Sequence, residues 1–205
     1  WGAHDNFISR SSDYFINEIS ELDNIYYWTF SDTSKTDYYY KWGAKNKIQY
    51  VPLAFDNINY KPVEDKKYGY DVCYVGSWAN NGFDEKRKIM GSFFAELVKL
   101  KLKLGVFIAT GMSIQEEANL LFNSKMSLNI HDEYQHVLGL DTNERTFKSL
   151  GLNGFLISDK VQALGDLFPS VSLCQTPKEM AASVEKFMDQ DLTSIKEENR
   201  SLILK

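Results

Sequence analysis

Between residues 70 and 204, short apolar runs and amphipathic stretches take turns, and this alternation constrains the fold more than any single motif. The runs at 70–75, 105–110, 126–130, 155–157 and 171–173 read as strands. The segments between them, at 85–102, 114–122, 142–150 and near 161–167, carry helix-like apolar spacing. Pro177 stands at the first turn of a further helix over 178–188, and 191–204 reads as helical too. Strands separated by helices bury both faces of a mostly parallel sheet joined by right-handed crossovers, so the expected class is α/β, a doubly wound parallel sheet.

A second, incomplete unit precedes it. Phe7, Ile8, Phe15, Ile16 and Ile19 predict a helix closing near Leu22, and IYYWTF at 25–30 predicts a strand. Ser31 and Asp32 can cap another helix that runs through Trp42 and ends at Gly43, and a strand over 47–53 closes near Pro52. These make one and a half βα units. Residues 56–68, DNINYKPVEDKKY, are polar, contain Pro62 and show no apolar period, which predicts a connector. The expected division is a partial domain over 1–60 and a second domain over 61–205. At 205 residues and 43% hydrophobic, the chain can bury one substantial core after a smaller unit.

Composition excludes several classes. A net charge of −5 offers no basic footprint for an extended nucleic acid, although Lys86, Arg87 and Lys88 form a local patch that suits one small phosphate ligand. Cys73 and Cys174 lie far apart with no CxxC or Cys/His spacing, so neither a disulfide scaffold nor a zinc site is indicated. No apolar run approaches the roughly 20 residues that span a bilayer. The opening WGAHDNFISR lacks the features of a signal peptide and looks like a strand end caught within a domain. A cytoplasmic setting is expected. His4, His131 and His136 are scattered without HExxH spacing, and no GxSxG, P-loop or intact GxGxxG occurs.

The candidate chemistry lies in three places. Strand DVCYVGS stops at Gly76 and Ser77, where glycine lets backbone amides approach a ligand and the hydroxyl can bond a phosphate. NSKMSLNI brings Ser124 and Lys125 to the start of a strand and Asn129 near its far end. The third, NERTFKSLGLNGFLISD at 143–159, joins a polar helix start to a buried-looking strand. Thr142 and Asn143 are candidate caps, Glu144 suits the positive end of the helix dipole, and Arg145 offers a planar fork for a diphosphate or carboxylate. The same residues also describe an ordinary capped helix. The aromatic group Tyr26, Tyr27, Trp28, Phe30, Tyr38, Tyr39, Tyr40 and Trp42 could stack a sugar or base, but packing of a small sheet explains it more simply.

YDVCYVGS, an Arg87-bearing helix, NSKMSLNI, NERTFKSLGLNGFLISD, LGDLF and PKEMAASVEKFM, in that order, resemble the C-terminal part of a GT-B glycosyltransferase of group 1, related to the CgeB-like spore-maturation family. The resemblance covers most of 70–190. The segment YKWGAKNKIQYVPLAFD resembles the end of that family's N-terminal domain. It implies two Rossmann-like domains facing across a cleft, the C-terminal one nearly complete and holding a nucleotide-diphosphate-sugar donor without a protein-held metal or other cofactor. The acceptor, a glycan, protein or small molecule, stays open. In this reading Gly76 and Ser77 line the donor pocket and Arg87 contacts a phosphate. Ser124 and Lys125 approach the nucleotide, and Asn143, Arg145 and Thr146 meet the diphosphate or sugar. Many relatives carry a ribose-holding glutamate where this chain has Lys148, and Leu140 stands where an acidic partner would fall. A lysine accepts no bond from ribose hydroxyls, so a non-catalytic nucleotide-sugar-binding or regulatory module is the alternative. A receiver-like or flavodoxin-like signalling domain would need acidic residues at strand ends, whereas Asp71 stands at a strand start.

Overall fold

The computed structural model describes residues 22–24, 26–29, 48–77, 85–108, 111–132, 135–136, 139 and 141–204. The two helices expected before residue 43 lie almost wholly outside these. Strands β1 (Tyr27–Thr29) and β2 (Ile48–Tyr50) pair in parallel, with Tyr27 opposite Ile48. Of the aromatic group, Tyr26 and Trp28 are exposed rather than packed.

The main sheet contains β3 (Val72–Gly76), β4 (Leu104–Ile108), β5 (Met126–Asn129), β6 (Leu156–Asp159) and β7 (Ser172–Cys174), in the order β4-β3-β5-β6-β7. Every pairing is parallel. The crossover helices are α1 (Glu85–Val98), α2 (Ile114–Asn123), α3 (Glu144–Leu152) and α4 (Gln162–Leu167), followed by α5 (Pro177–Met188) and α6 (Thr193–Ile203). The expected strands and helices are thus present. α1 stops four residues early, however, because Lys101 takes a left-handed turn at φ 55° before β4 begins.

Alternation along the strands sorts side chains to two faces. Val72, Tyr74, Met126, Leu128 and Ile157 join Met90, Phe93 and Leu97 of α1 and Met180 and Val184 of α5 in one buried cluster. Cys73 meets Ala118, Leu120 and Leu121 of α2 on the other face, and Leu156 meets Phe147, Leu150 and Leu164 beside it. This is a three-layer doubly wound domain.

The expected connector does not run free. Tyr60 and Tyr68 are buried in the α2 cluster, and the Phe55 ring lies against Gly151 of α3. The main-chain N–H groups of Val63 and Asp65 donate to Asn119 Oδ1 and Asn123 Oδ1, both at 2.9 Å. Polar composition hid this docking because asparagines of α2, rather than apolar residues, satisfy the segment's backbone.

Candidate functional site

In the order β4-β3-β5-β6-β7 the chain reverses direction of winding between β3 and β5, and in open α/β sheets ligands bind outside the carboxyl ends of the strands at such a point. The two strands pair only at Val72 with Met126 and Cys73 with Ser127, then separate, whereas β3 pairs with β4 along all of Val72–Gly76. The separation leaves the Val75 carbonyl without a strand partner on the β5 side. Arg145, in the first turn of α3, fills the gap. Its Nε donates to Val75 O at 2.5 Å, and its Nη1 to Asn129 Oδ1 at 2.8 Å and Ile130 O at 3.3 Å. The guanidinium also lies 4.6 Å from the Tyr74 ring centroid. Among the described residues its hydrogen bonds use Nε and Nη1, which leaves Nη2 against Gly76. A Cβ on Gly76 would overlap the guanidinium and stand 2.8 Å from the Tyr74 hydroxyl. Gly76 therefore admits the arginine.

Arg145 has only donors to offer, so the Asn129 atom facing it is the oxygen, which also accepts from Asn143 Nδ2 at 2.9 Å. Asn129 Nδ2 then donates to Thr146 Oγ1 at 2.9 Å and faces His131 Nε2 at 3.3 Å. Thr146 and Thr142 hydroxyls are 2.6 Å apart, and Thr142 Oγ1 is 2.8 Å from His131 Nε2. With donors on that side, His131 Nε2 accepts and its Nδ1–H donates to Asp159 Oδ1 at 2.6 Å. One consistent proton order thus runs from Arg145 through buried hydroxyls to Asp159.

Asp159 is 2% exposed and takes further donors: the His131 N–H and His136 Nε2 on Oδ2, at 2.8 and 2.9 Å, and the Ser158 hydroxyl on Oδ1. Burial alone would raise its carboxyl, but the hydrogen bonds from His131 and His136 outweigh that and hold it far below the usual carboxylate range. The hydrogen bond to Asp159 raises His136 above its ordinary value. At the same edge, buried Lys86 of α1 pairs with Asp132 at 2.6 Å.

Of the expected site residues, Gly76, Asn143, Arg145 and Thr146 come together here. Asn143 is the N-cap residue of α3 but makes no side-chain cap bond, because its amide is committed to Asn129; its Oδ1 is buried and has no hydrogen-bond partner among the described residues. Ser77 is exposed just beyond β3, and Arg87 is exposed on the first turn of α1, with its neighbour Lys86 turned inward instead. Ser124 and Lys125 are not brought to this edge. They precede β5 and so lie on the opposite edge of a parallel sheet, where the Ser124 hydroxyl donates to Leu120 O at 2.7 Å and Lys125 Nζ to the Met188 carbonyl.

Lys148 faces neither edge's strands. It bonds Glu117 of α2 at 3.2 Å and Glu144 at 2.9 Å, and lies 5.3 Å from the Tyr60 ring centroid. Burial pulls its ammonium down, yet hydrogen bonding with Tyr60 and Glu144 and the Glu117 charge hold it above its usual range. His131, His136 and Asp159 were missed because 23 and 28 residues separate the partners in sequence. The available signal was that NIHD and ISD both carry polar groups off the ends of adjacent strands, paired as Asn129 with Ser158.

A parallel sheet covered by helices on both faces, with its winding reversal spanned by an arginine-bearing helix start, is a Rossmann-like, doubly wound architecture. The fold matches the solved structure of trehalose-6-phosphate synthase OtsA with a TM-score of 0.55 at 10% identity, over 80% of this chain and 49% of that one. This chain spans about half the length of that protein, and at such identity the likeness concerns the fold. Residues 61–201 match the sequence model of a family described as glycosyl transferase-like, and the chain belongs to that family. No curated protein sequence matches it.

Proposed function

We propose that the protein transfers a sugar from a nucleotide-diphosphate-sugar donor to an acceptor, with the diphosphate at the carboxyl edge between β3 and β5. The observation that carries this reading is Arg145, held by main-chain and Asn129 oxygens so that a fixed cation spans the edge where the strands separate. A preorganised cation at the leaving diphosphate stabilises charge that develops during transfer without reorganising. Asn143 adds a buried acceptor, suited to a sugar hydroxyl, and Ser77 and Arg87 flank the edge. The motif order supports the CgeB-like branch of the family. The reaction in this reading is metal-independent and takes place in the cytoplasm.

The test is calorimetry with uridine, guanosine and thymidine diphosphate sugars. Binding of one of them is expected, weakened by about 1.5 to 3 kcal/mol in Arg145→Ala, the value of a charge-assisted hydrogen bond. Failure of all three donors to bind overturns the proposal. A second reading, a binding module without transfer, is favoured by Lys148, whose ammonium is enclosed by Glu117, Glu144 and Tyr60 and offers ribose no acceptor. Donor binding with neither transfer nor donor hydrolysis would select it.

A further inference from the structure

His136 occupies a seat that fits only one protonation state. Its Nε2 is 2.9 Å from Asp159 Oδ2 and its Nδ1 is 3.2 Å from the Lys160 carbonyl oxygen. Both neighbours are acceptors, and a neutral imidazole has one N–H, so it would leave a nitrogen lone pair facing an oxygen. Only the imidazolium satisfies both contacts. It also supplies the counter-charge for a carboxylate that is 2% exposed. His131 Nε2 faces Thr142 and Asn129, so Asp159 is met by its Nδ1 alone.

The other charged groups near His136 do not replace it. Asp132 is acidic and already paired with Lys86, and the Lys160 side chain is exposed while only its carbonyl faces the ring. His136 belongs to the link from β5 to α3, whose described amides are ordered by Gln135 N–H to Asp132 O, His136 N–H to Asp132 O and Gly139 N–H to Gln135 O. Gln135 Nε2 also donates to Asp141 Oδ1 at 2.8 Å. The link is tied elsewhere by the Lys86 to Asp132 ion pair and by Ala163 N–H to Gly139 O. Of these ties, His136 is the one that titrates near neutral pH. The link ends at Asp141, directly before Thr142, Asn143 and Arg145.

We propose that protonation of His136 fastens the β5 to α3 link onto the end of β6, and that loss of this proton releases it and loosens the helix start that carries Arg145. The sign follows from the seat. The group binds its proton more tightly folded than unfolded, so the fastening is complete below about pH 6.5 and is lost as pH rises through the higher folded value. A further consequence rests on the proposed function. An anion bound at Arg145 favours the fastened form, so by reciprocity it raises the titration midpoint of His136.

The experiment is a proton NMR titration of the three histidines in the whole chain, with His136 assigned by its absence in His136→Gln, combined with amide exchange of Gln135, His136 and Gly139 from pH 5.5 to 9. The expected result is a His136 midpoint above 6.5, with protection of those three amides falling roughly tenfold as it deprotonates, beyond the intrinsic effect of pH. In His136→Gln the protection shows no such step. A midpoint at or below 6.5, or protection unchanged through the titration, overturns the proposal; should the variant fail to fold, the pH dependence of amide protection in the wild-type chain decides. Uridine diphosphate, guanosine diphosphate and inorganic pyrophosphate serve as probes for the coupling. If none binds, the donor-site reading falls while the fastening stands on the titration alone. If one binds without raising the midpoint, the coupling is overturned.

Discussion

Gly76 and Arg145 form a complementary pair 69 residues apart, and neither explains itself alone. The glycine's missing side chain is the space the guanidinium occupies, and the guanidinium supplies the hydrogen bond that β5 withholds from Val75. Gly76→Ala would force the arginine aside, since its Cβ meets both Arg145 and the Tyr74 hydroxyl. The expected stability loss is about 1–3 kcal/mol, as for other overpacked sites. Donor affinity should fall as far as in Arg145→Ala, and the double variant should bind no worse than either single one. Additive losses in calorimetry would mean that Gly76 contacts the ligand directly, which is the role the sequence alone suggests for it.

Helices and strands divide the domain's two edges into different electrostatic tasks. The carboxyl edge gathers Arg145, His131, His136 and Asp159. At the opposite edge, cations from elsewhere in the chain meet the carbonyl ends of three helices: Lys125 at α5, Lys196 at α2, and Arg200 at α3, where its Nη2 donates to Leu152 O at 2.8 Å. This arrangement complements the helix dipoles, but it crowds like charges. Burial, then the neighbouring Arg200 charge, brings the Lys196 amine down to about 8 from 10.5. Between these values the unfolded chain binds the proton and the folded chain does not, so this group's contribution to stability rises with pH from about 8 to 10.5 and is least favourable below 8. Lys196→Met should therefore be more stable than the wild type at pH 7, by about 1–2 kcal/mol after discounting for solvent screening. That advantage should shrink between pH 8 and 10 in parallel urea titrations. An advantage that does not change with pH would assign the gain to packing instead.

Element types were legible because each strand and helix is written in local apolar spacing, from β3 through α6. Strand order is not local, and the crevice depends on it: nothing in DVCYVGS says that its neighbours are β4 and β5. The edge on which Ser124 and Lys125 stand is legible in sequence, since residues that precede a strand in a parallel sheet lie at the edge opposite those that follow it. The connector misled for another reason. Its docking relies on Tyr60, Tyr68 and asparagine side chains of α2, and these leave no apolar period to read.

Under the proposed function, the connector ties the donor edge to more than one sheet. Leu53 and Phe55 pack beside α3, and Tyr60 donates to Glu117 at 2.8 Å, so the segment leading from β2 is fixed to the helix whose first turn carries Arg145. A ligand that orders α3 therefore also stabilises the docked connector, and binding should register as one cooperative gain in global stability. Binding only to the folded chain adds RT ln(1 + [L]/Kd), about 2.7 kcal/mol at a hundredfold excess over Kd. With the donor that calorimetry identifies, the thermal midpoint should rise as a single transition, and Arg145→Ala should cut the gain at the same concentration to about 0.3–1.3 kcal/mol, half or less of the wild-type value. Among the described residues no group of three or more His, Cys, Asp or Glu side chains is placed to hold a metal ion. A metal-independent site predicts the same midpoint shift with and without EDTA. Loss of the shift in EDTA would show that a cation accompanies the diphosphate opposite Arg145.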